Sequence, residues 1–298
     1  MDARRTALAV LHRVLREEAY SNLALDAAFS RHPEADPADK RLATQLVYGV
    51  LRRLYALDAE IARLSSKPIA KLDDAVLDTL RLSLFQLNEL TRIPPHAVLN
   101  EAGRLLLAAR KRSAQGFVNA LLRRHLADRE AGRLPALSED TLEHLAAAQS
   151  LPLFVLEAWA KEPELAALPL AERMAALATR ARRQNEPAPL TLAVLPKRLQ
   201  MEAARAELDA AGAKSEPGRF CPQALIVTRG GLEAANALIQ KGRAVIMDEA
   251  AQLVAALAGA KEGERVLDVC AAPGGKALLL AEAVGPTGKV VACDIAPN

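Results

Sequence analysis

Residues 265–294, RVLDVCAAPGGKALLLAEAVGPTGKVVACD, hold the groups in this chain whose types and spacing best suit chemistry. An apolar run, RVLDVC, leads into Ala271, Ala272, Pro273, Gly274 and Gly275. Lys276 then opens a helical run, ALLLAEAV. After the turn Gly285-Pro286-Thr287-Gly288, a second apolar run, KVVACD, ends in Asp294. The pattern predicts a β-α-β unit with its glycine turn at the carboxyl end of the first strand, where open parallel sheets take ligands. Two adjacent glycines let backbone approach a ligand with no Cβ between them. The helix start behind them offers unpaired N–H groups and a positive dipole end to a carboxylate or phosphate. Asp294 follows Gly274 by 20 residues, the spacing that sets an acid beside ribose hydroxyls.

Three ligands compete for this geometry. A nicotinamide dinucleotide asks for Gly-x-Gly-x-x-Gly, where this chain has Ala-Ala-Pro-Gly-Gly-Lys. A P-loop asks for Gly at 270 and Ser or Thr at 277, positions held by Cys270 and Ala277. What remains is an adenosine ligand without a pyrophosphate, S-adenosylmethionine, whose methionine carboxylate would sit at the helix start. A plain glycine turn is the bland alternative, and the acid-ended strands on both sides of the turn weigh against it. The expected cofactor-binding residues are Cys270, Ala271, Ala272, Pro273, Gly274, Gly275, Lys276 and Asp294. Asp268 is expected to shape the loop.

The rest of the chain must position this unit. Its 298 residues are 51% hydrophobic and only 3% aromatic. A composition rich in Ala, Leu, Arg and Glu favours helices and argues against an all-β, disordered or collagen-like chain. Residues 1–135 read as an all-α bundle of five or more helices: ALAVLHRVL (7–15) sets Leu8, Leu11, Val14 and Leu15 on one face, and 42–64 is one long amphipathic stretch. Residues 136–188 read as a helical connector, with breaks at Pro135, Pro152, Pro163 and Pro169 and a core position for Trp159. Residues 189–248 read as a small strand–helix–strand–helix–strand unit, with turn residues at Ser215–Gly218. Residues 249–298 carry the β-α-β unit.

Charge is uneven. Residues 1–135 hold 22 Lys and Arg against 16 Asp and Glu, and the remainder holds 17 against 20. Arg52, Arg53, Arg123 and Arg124 are the candidates for RNA phosphate contacts. Cys221, Cys270 and Cys293 are too scattered for a disulfide framework or a zinc site. No metal ligand set is expected among the five histidines; His96 is expected to be a helix-entry residue, Cys221 inert and Cys293 a buried strand residue. The N-terminus, MDARRTALAVLHRVLREE, is interrupted by charge too often for a signal peptide or a membrane span. A reducing cytoplasm is the expected location.

DVCAAPGGK resembles the first methyltransferase motif of the RNA cytosine-5 methyltransferases, and Asp248-Glu249-Ala250-Ala251-Gln252-Leu253 is similar to the helix that leads into their domain. AYSNLALD (19–26), RLATQLVYGVLRRLYALD (41–58), LRLSLFQL with IPPHAVLNEA (80–102) and GFVNALLRR (116–124) resemble the NusB-like domain fused to RsmB-type enzymes. The resemblance implies S-adenosylmethionine-dependent methylation of cytosine C5 in 16S ribosomal RNA. It also implies a cysteine nucleophile attacking C6 and a second cysteine for release, both expected beyond Asn298, so no catalytic residue is assigned within the chain. The 298 residues are therefore expected to be a truncated, inactive front portion whose last 50-odd residues form no stable sheet. Ala193, Leu195 and Ala277 depart from the family pattern, which has Arg and Asn at the first two and a hydroxyl residue at the third. The alternative is a NusB-like RNA-binding or antitermination module with a vestigial methyltransferase segment.

Overall fold

A computed structural model describes residues 1–134, 138–186 and 188–295. The expected break at Pro135, and the end at Asn298, lie outside the described residues. The chain divides into two compact units, Met1–Glu186 and Pro187–Asn298.

The first unit is helical: α1 (Ala3–Arg16), α2 (Ser21–Ser30), α3 (Pro37–Arg52), α4 (Leu54–Leu64), α5 (Asp74–Glu89), α6 (Pro95–Ala108), α7 (Gln115–Glu130), α8 (Leu142–Gln149), α9 (Leu153–Ala160), α10 (Pro163–Ala166) and α11 (Leu170–Asn185). Carboxylates start several of them: Asp2, Asp36 and Asp73 accept hydrogen bonds from the first amides of α1, α3 and α5, supplying partners that the backbone lacks there. α5 runs through the middle and is buried from Val76 to Leu87. Its Leu80 and Leu84 pack with Leu11, Leu46, Ile61, Leu106 and Leu122 into one core.

The long stretch expected over 42–64 is two helices. The chain bends at Arg53 (φ −104°, ψ 16°), which ends α3 and precedes α4. No side chain next to α4 caps it; instead the Ser150 hydroxyl accepts the Tyr55 N–H at 2.9 Å from 95 residues away. That bond and the α4–α8 packing attach residues 138–186 to the bundle. The connector prolines open helices rather than merely breaking them: Pro152 precedes α9, Pro163 begins α10 and Pro169 precedes α11. Trp159 packs partly buried on a small core of Leu145, Leu156 and Leu177, with the Arg180 guanidinium 4.2 Å over its ring.

The second unit begins β1 (Leu190–Val194), α12 (Met201–Ala210), β2 (Lys214–Pro217), β3 (Ala224–Arg229), α13 (Gly231–Gln240), β4 (Ala244–Ile246). The sheet order is β2-β3-β1-β4 with every pairing antiparallel, a ferredoxin-like βαββαβ arrangement. Ser215–Pro217, expected as turn residues, form part of the edge strand β2. Their exposure, polarity and the proline suit an edge. Alternate residues of β1 serve opposite faces. Leu190, Leu192 and Val194 pack with the residues of α12 and α13, whereas Ala193 and the following Leu195 pack with Met247, Ala255 and Leu279.

The chain continues as α14 (Glu249–Leu257), β5 (Arg265–Asp268), α15 (Gly275–Val284) and β6 (Lys289–Ala292). β5 and β6 pair in parallel, from Arg265↔Lys289 to Asp268↔Ala292, and α15 crosses between them as the sequence predicts. α15 also packs on α14. The last segment thus forms a sheet, although a small one.

Candidate cofactor-binding site

The predicted turn lies where β5 ends, and backbone bonds weave it to the end of β6. The Cys293 N–H donates to the Asp268 carbonyl at 2.8 Å, and the Ala271 N–H donates to the Cys293 carbonyl at 2.9 Å. Asp294 then reaches back. Its Oδ2 accepts the Ala272 N–H at 2.9 Å and its Oδ1 accepts the Ile295 N–H at 2.8 Å. The acid expected beside a ribose is therefore also the clasp that fixes the loop. Asp268 shapes the loop from the other side, its Oδ1 accepting the Cys270 N–H at 3.2 Å. Its Oδ2 is buried and has no hydrogen-bond partner among the described residues.

Ala272–Pro273 is a cis peptide, and the Gly274 N–H donates to the Ala271 carbonyl at 2.6 Å, closing the turn. Gly274 has φ +106°, which an L side chain rarely adopts, and the space where its Cβ would stand is open. It is also the N-cap of α15, and no side chain caps that end. The first intrahelical bond comes from the Leu278 N–H to the Gly274 carbonyl. Hence the amides of Gly275, Lys276 and Ala277 find no acceptor among the described residues. Gly275 is needed for another reason, since a Cβ there would overlap the Met247 methyl. Lys276 is half-buried and has no ion-pair partner among the described residues. The arrangement offers an anion three amides, a dipole end and a nearby ammonium.

Burial corrects one cysteine. Cys293, expected to be buried, is exposed like Cys270. It lies just past β6, in a two-stranded sheet where Leu267 is 62% and Val291 39% exposed. Only the Cys293 backbone serves the site. Cys221 is buried, and its thiol pKa is raised by burial and by Glu249.

The sequence reading missed the latch at α14. Asp248 caps the helix by accepting the Ala251 N–H at 2.8 Å. Glu249 Oε1 accepts the N–H groups of Phe220 and Cys221, which hold its carboxyl below the ordinary range. Gln252, fully buried, donates to the carbonyls of Leu192 and Met247 at 3.3 and 2.9 Å. The signal was present in Asp248–Leu253, where polar residues sit at helix-cap spacing, but their partners are distant in sequence.

The four arginines fall in different settings. Arg52 and Arg123 are exposed and unpaired among the described residues. Arg53 pairs with Glu89 at 3.4 Å, and Arg124 donates to the Leu64 carbonyl at 3.3 Å. Arg123 shares a cleft with His96, Asn100 and Glu130, and His96 occupies the first turn of α6. Among the described residues no cluster could hold a metal ion, and no helix is long and apolar enough to cross a membrane.

Comparison with known proteins now connects these parts. Residues 1–127 match the NusB family, and residues 254–298 match the family described as 16S rRNA methyltransferase RsmB/F. The chain is 33% identical over 293 residues to the probable ribosomal RNA small subunit methyltransferase B of Bacillus subtilis, covering 97% of this chain and 62% of that protein. It is 30% identical over 304 residues to the corresponding protein of Synechocystis, covering 99% and 64%. A third likeness, 30% over 296 residues, is to ribosomal RNA small subunit methyltransferase B of Pseudomonas putida, covering 99% and 63%. The chain thus spans about three fifths of the length of these relatives. The crystal structure of PH0851 has the same fold across 99% of the chain and 64% of its own, with a TM-score of 0.71 at 19% identity. A region matching the NusB family thus stands ahead of a segment matching the RsmB/F methyltransferases, and the likeness to the small subunit methyltransferase B proteins runs nearly end to end along this chain.

Proposed function

We propose that this chain supplies the RNA-holding and methyl-donor-holding parts of a cytoplasmic enzyme that methylates cytosine C5 in 16S ribosomal RNA, with S-adenosylmethionine as donor. The observation that carries the reading is the uncapped start of α15 behind Gly274, joined to a spare buried acceptor on Asp268. An amino acid carboxylate would be held at the amides of Gly275, Lys276 and Ala277, with the Lys276 ammonium adding charge. Asp268 Oδ2 would accept from an ammonium, since a buried acceptor without a partner costs stability until one arrives. Asp294, at the end of the second strand, would accept from a ribose hydroxyl. Cys270, Ala271, Ala272 and Pro273 would form the loop wall. Once bound, the donor supplies an electrophilic methyl group on a sulfonium; these residues hold and orient it.

Arg52, Arg53, Arg123 and Arg124 would meet RNA phosphates, Arg52 and Arg123 with no ion pair to give up. Isothermal titration of the chain with S-adenosylmethionine tests the donor site: saturable one-to-one binding is expected. Absence of binding heat at several temperatures, together with no protection from thermal unfolding, would favour a NusB-like RNA module with a vestigial methyltransferase segment.

A further inference from the structure

The outer face of α3 carries a pattern that charge clusters alone do not reveal. Ala43, Leu46, Val47 and Val50 are buried, while Arg41, Gln45, Tyr48 and Arg52 are exposed. The exposed positions run i, i+4, i+7, i+11, one continuous stripe along a helix. Beyond the bend at Arg53, Tyr55 in the first turn of α4 is exposed as well. The chain has three tyrosines, five phenylalanines and one tryptophan, yet Tyr48 is 38% and Tyr55 44% open to solvent. The packing of α3 on α5 does not need the Tyr48 ring, because the neighbouring Gly49 makes that approach, close enough that a Cβ would overlap the Phe85 ring.

The charges nearby are arranged to match. Arg52 has no ion pair among the described residues. Acids of the adjoining helices α4 and α5 are paired with other groups. Glu89 holds Arg53 at 3.4 Å, Asp58 holds Arg81 at 2.7 Å, and Glu60 holds Arg63 at 2.7 Å and the His125 ring at 3.0 Å. Tyr48 stands one helical turn before Arg52 on α3, and an exposed ring beside an uncancelled guanidinium is what an unpaired base on a phosphate backbone requires. A duplex hides its base faces and would use only the charge.

We propose that this stripe is a binding site for single-stranded RNA, with bases stacking on Tyr48 and Tyr55 and Arg52 meeting the phosphate backbone beside them. The proposal rests on the reading that the chain binds RNA and goes further by naming the ligand as unpaired RNA and the contact as stacking.

Fluorescence anisotropy of the chain with a short labelled single-stranded RNA, and with its duplex, tests it. Tyr48→Ala and Tyr55→Ala should each weaken single-strand binding about 5- to 100-fold and leave duplex binding unchanged. Tyr→Phe at either position should restore the single-strand affinity, and Arg52→Ala should lower the salt slope by about 0.7. Single-strand affinity unchanged in both alanine variants, with the unaltered chain still binding, would remove the stripe and keep the RNA reading. Equal loss on duplex and single strand, or no rescue by Phe, would equally overturn stacking. No binding of either RNA by the unaltered chain would remove the RNA reading itself.

Discussion

Single atoms decide how the candidate donor site works. Gly274 is held to glycine by its backbone, because φ +106° is available to glycine and strained for alanine. Nothing lies within 4 Å of its missing Cβ, so backbone strain rather than a clash is what a Gly274→Ala variant meets. A strain of about 1–3 kcal/mol would re-aim the amides of α15. Titration with S-adenosylmethionine should show affinity lowered about 5- to 100-fold, with the helical circular dichroism unchanged; wild-type affinity would dissociate the turn from the ligand. In the bundle, Asp78 is 1% exposed and Arg81 6%, and Arg81 bridges Asp78 at 2.8 Å and Asp58 at 2.7 Å. Arg81→Met should cost about 3–5 kcal/mol in denaturant unfolding, because it leaves the buried Asp78 carboxylate only the longer contact to Arg16 at 3.6 Å.

Among the elements, α3 and α5 approach closely at Gly49. Gly49→Ala would drive a methyl into the Phe85 ring, and a chemical-denaturation series should show a loss of about 1–3 kcal/mol. Acid sensitivity belongs to the α4–α7 pairing. Burial acts to raise the pKa of Glu60, but hydrogen bonds from His125 and Arg63 outweigh it and hold the group below its ordinary value of 4.5. A carboxylate depressed in the folded state stabilises fully above its unfolded pKa and loses that contribution as pH falls through the folded one. Asp78 runs oppositely. Burial raises it above 3.8, so its contribution is complete below the unfolded value and declines as pH rises through the folded one. The thermal midpoint should therefore drop below pH 4.5, and Glu60→Gln should flatten that drop. A midpoint in the Gln variant that still follows the wild-type curve would place the acid-sensitive group elsewhere.

Over the whole molecule, stability should be unevenly shared. The helical unit contains a core that includes Leu11, Leu46, Leu80 and Leu106, all fully buried. The segment from the end of α14 onward leaves Leu257, Leu267, Val269 and Ile295 largely exposed. Two strands with one crossing helix hold few buried contacts, which places such a segment at the low end of local stability. Limited proteolysis read by mass spectrometry should cut beyond Leu257 before it cuts within α3–α7. Equal resistance of the two regions would contradict this distribution.

Several features were legible in the residues themselves. The glycine turn, the strand before it, the helix after it and the acid 20 residues on all follow local rules of period and turn chemistry, so RVLDVC-AAPGGK led directly to β5, its loop and α15. Helices could likewise be read from spacing in 1–135, although the bend at Arg53 could not: the Ser150 hydroxyl that caps α4 arrives from 95 residues away. Similarly, Ser215–Pro217 looks like a turn alone and becomes a strand only because β3 offers a partner. An apolar run predicts burial for Cys293, whereas its exposure depends on how much else covers the sheet. Asp294 was recognised as an acid in the right place, but its second task, holding the Ala272 amide, needed the two strand ends to meet. Local sequence determines which conformations each segment prefers; long-range contacts decide which amides, carboxylates and rings are left without partners, and those leftovers are where ligands bind.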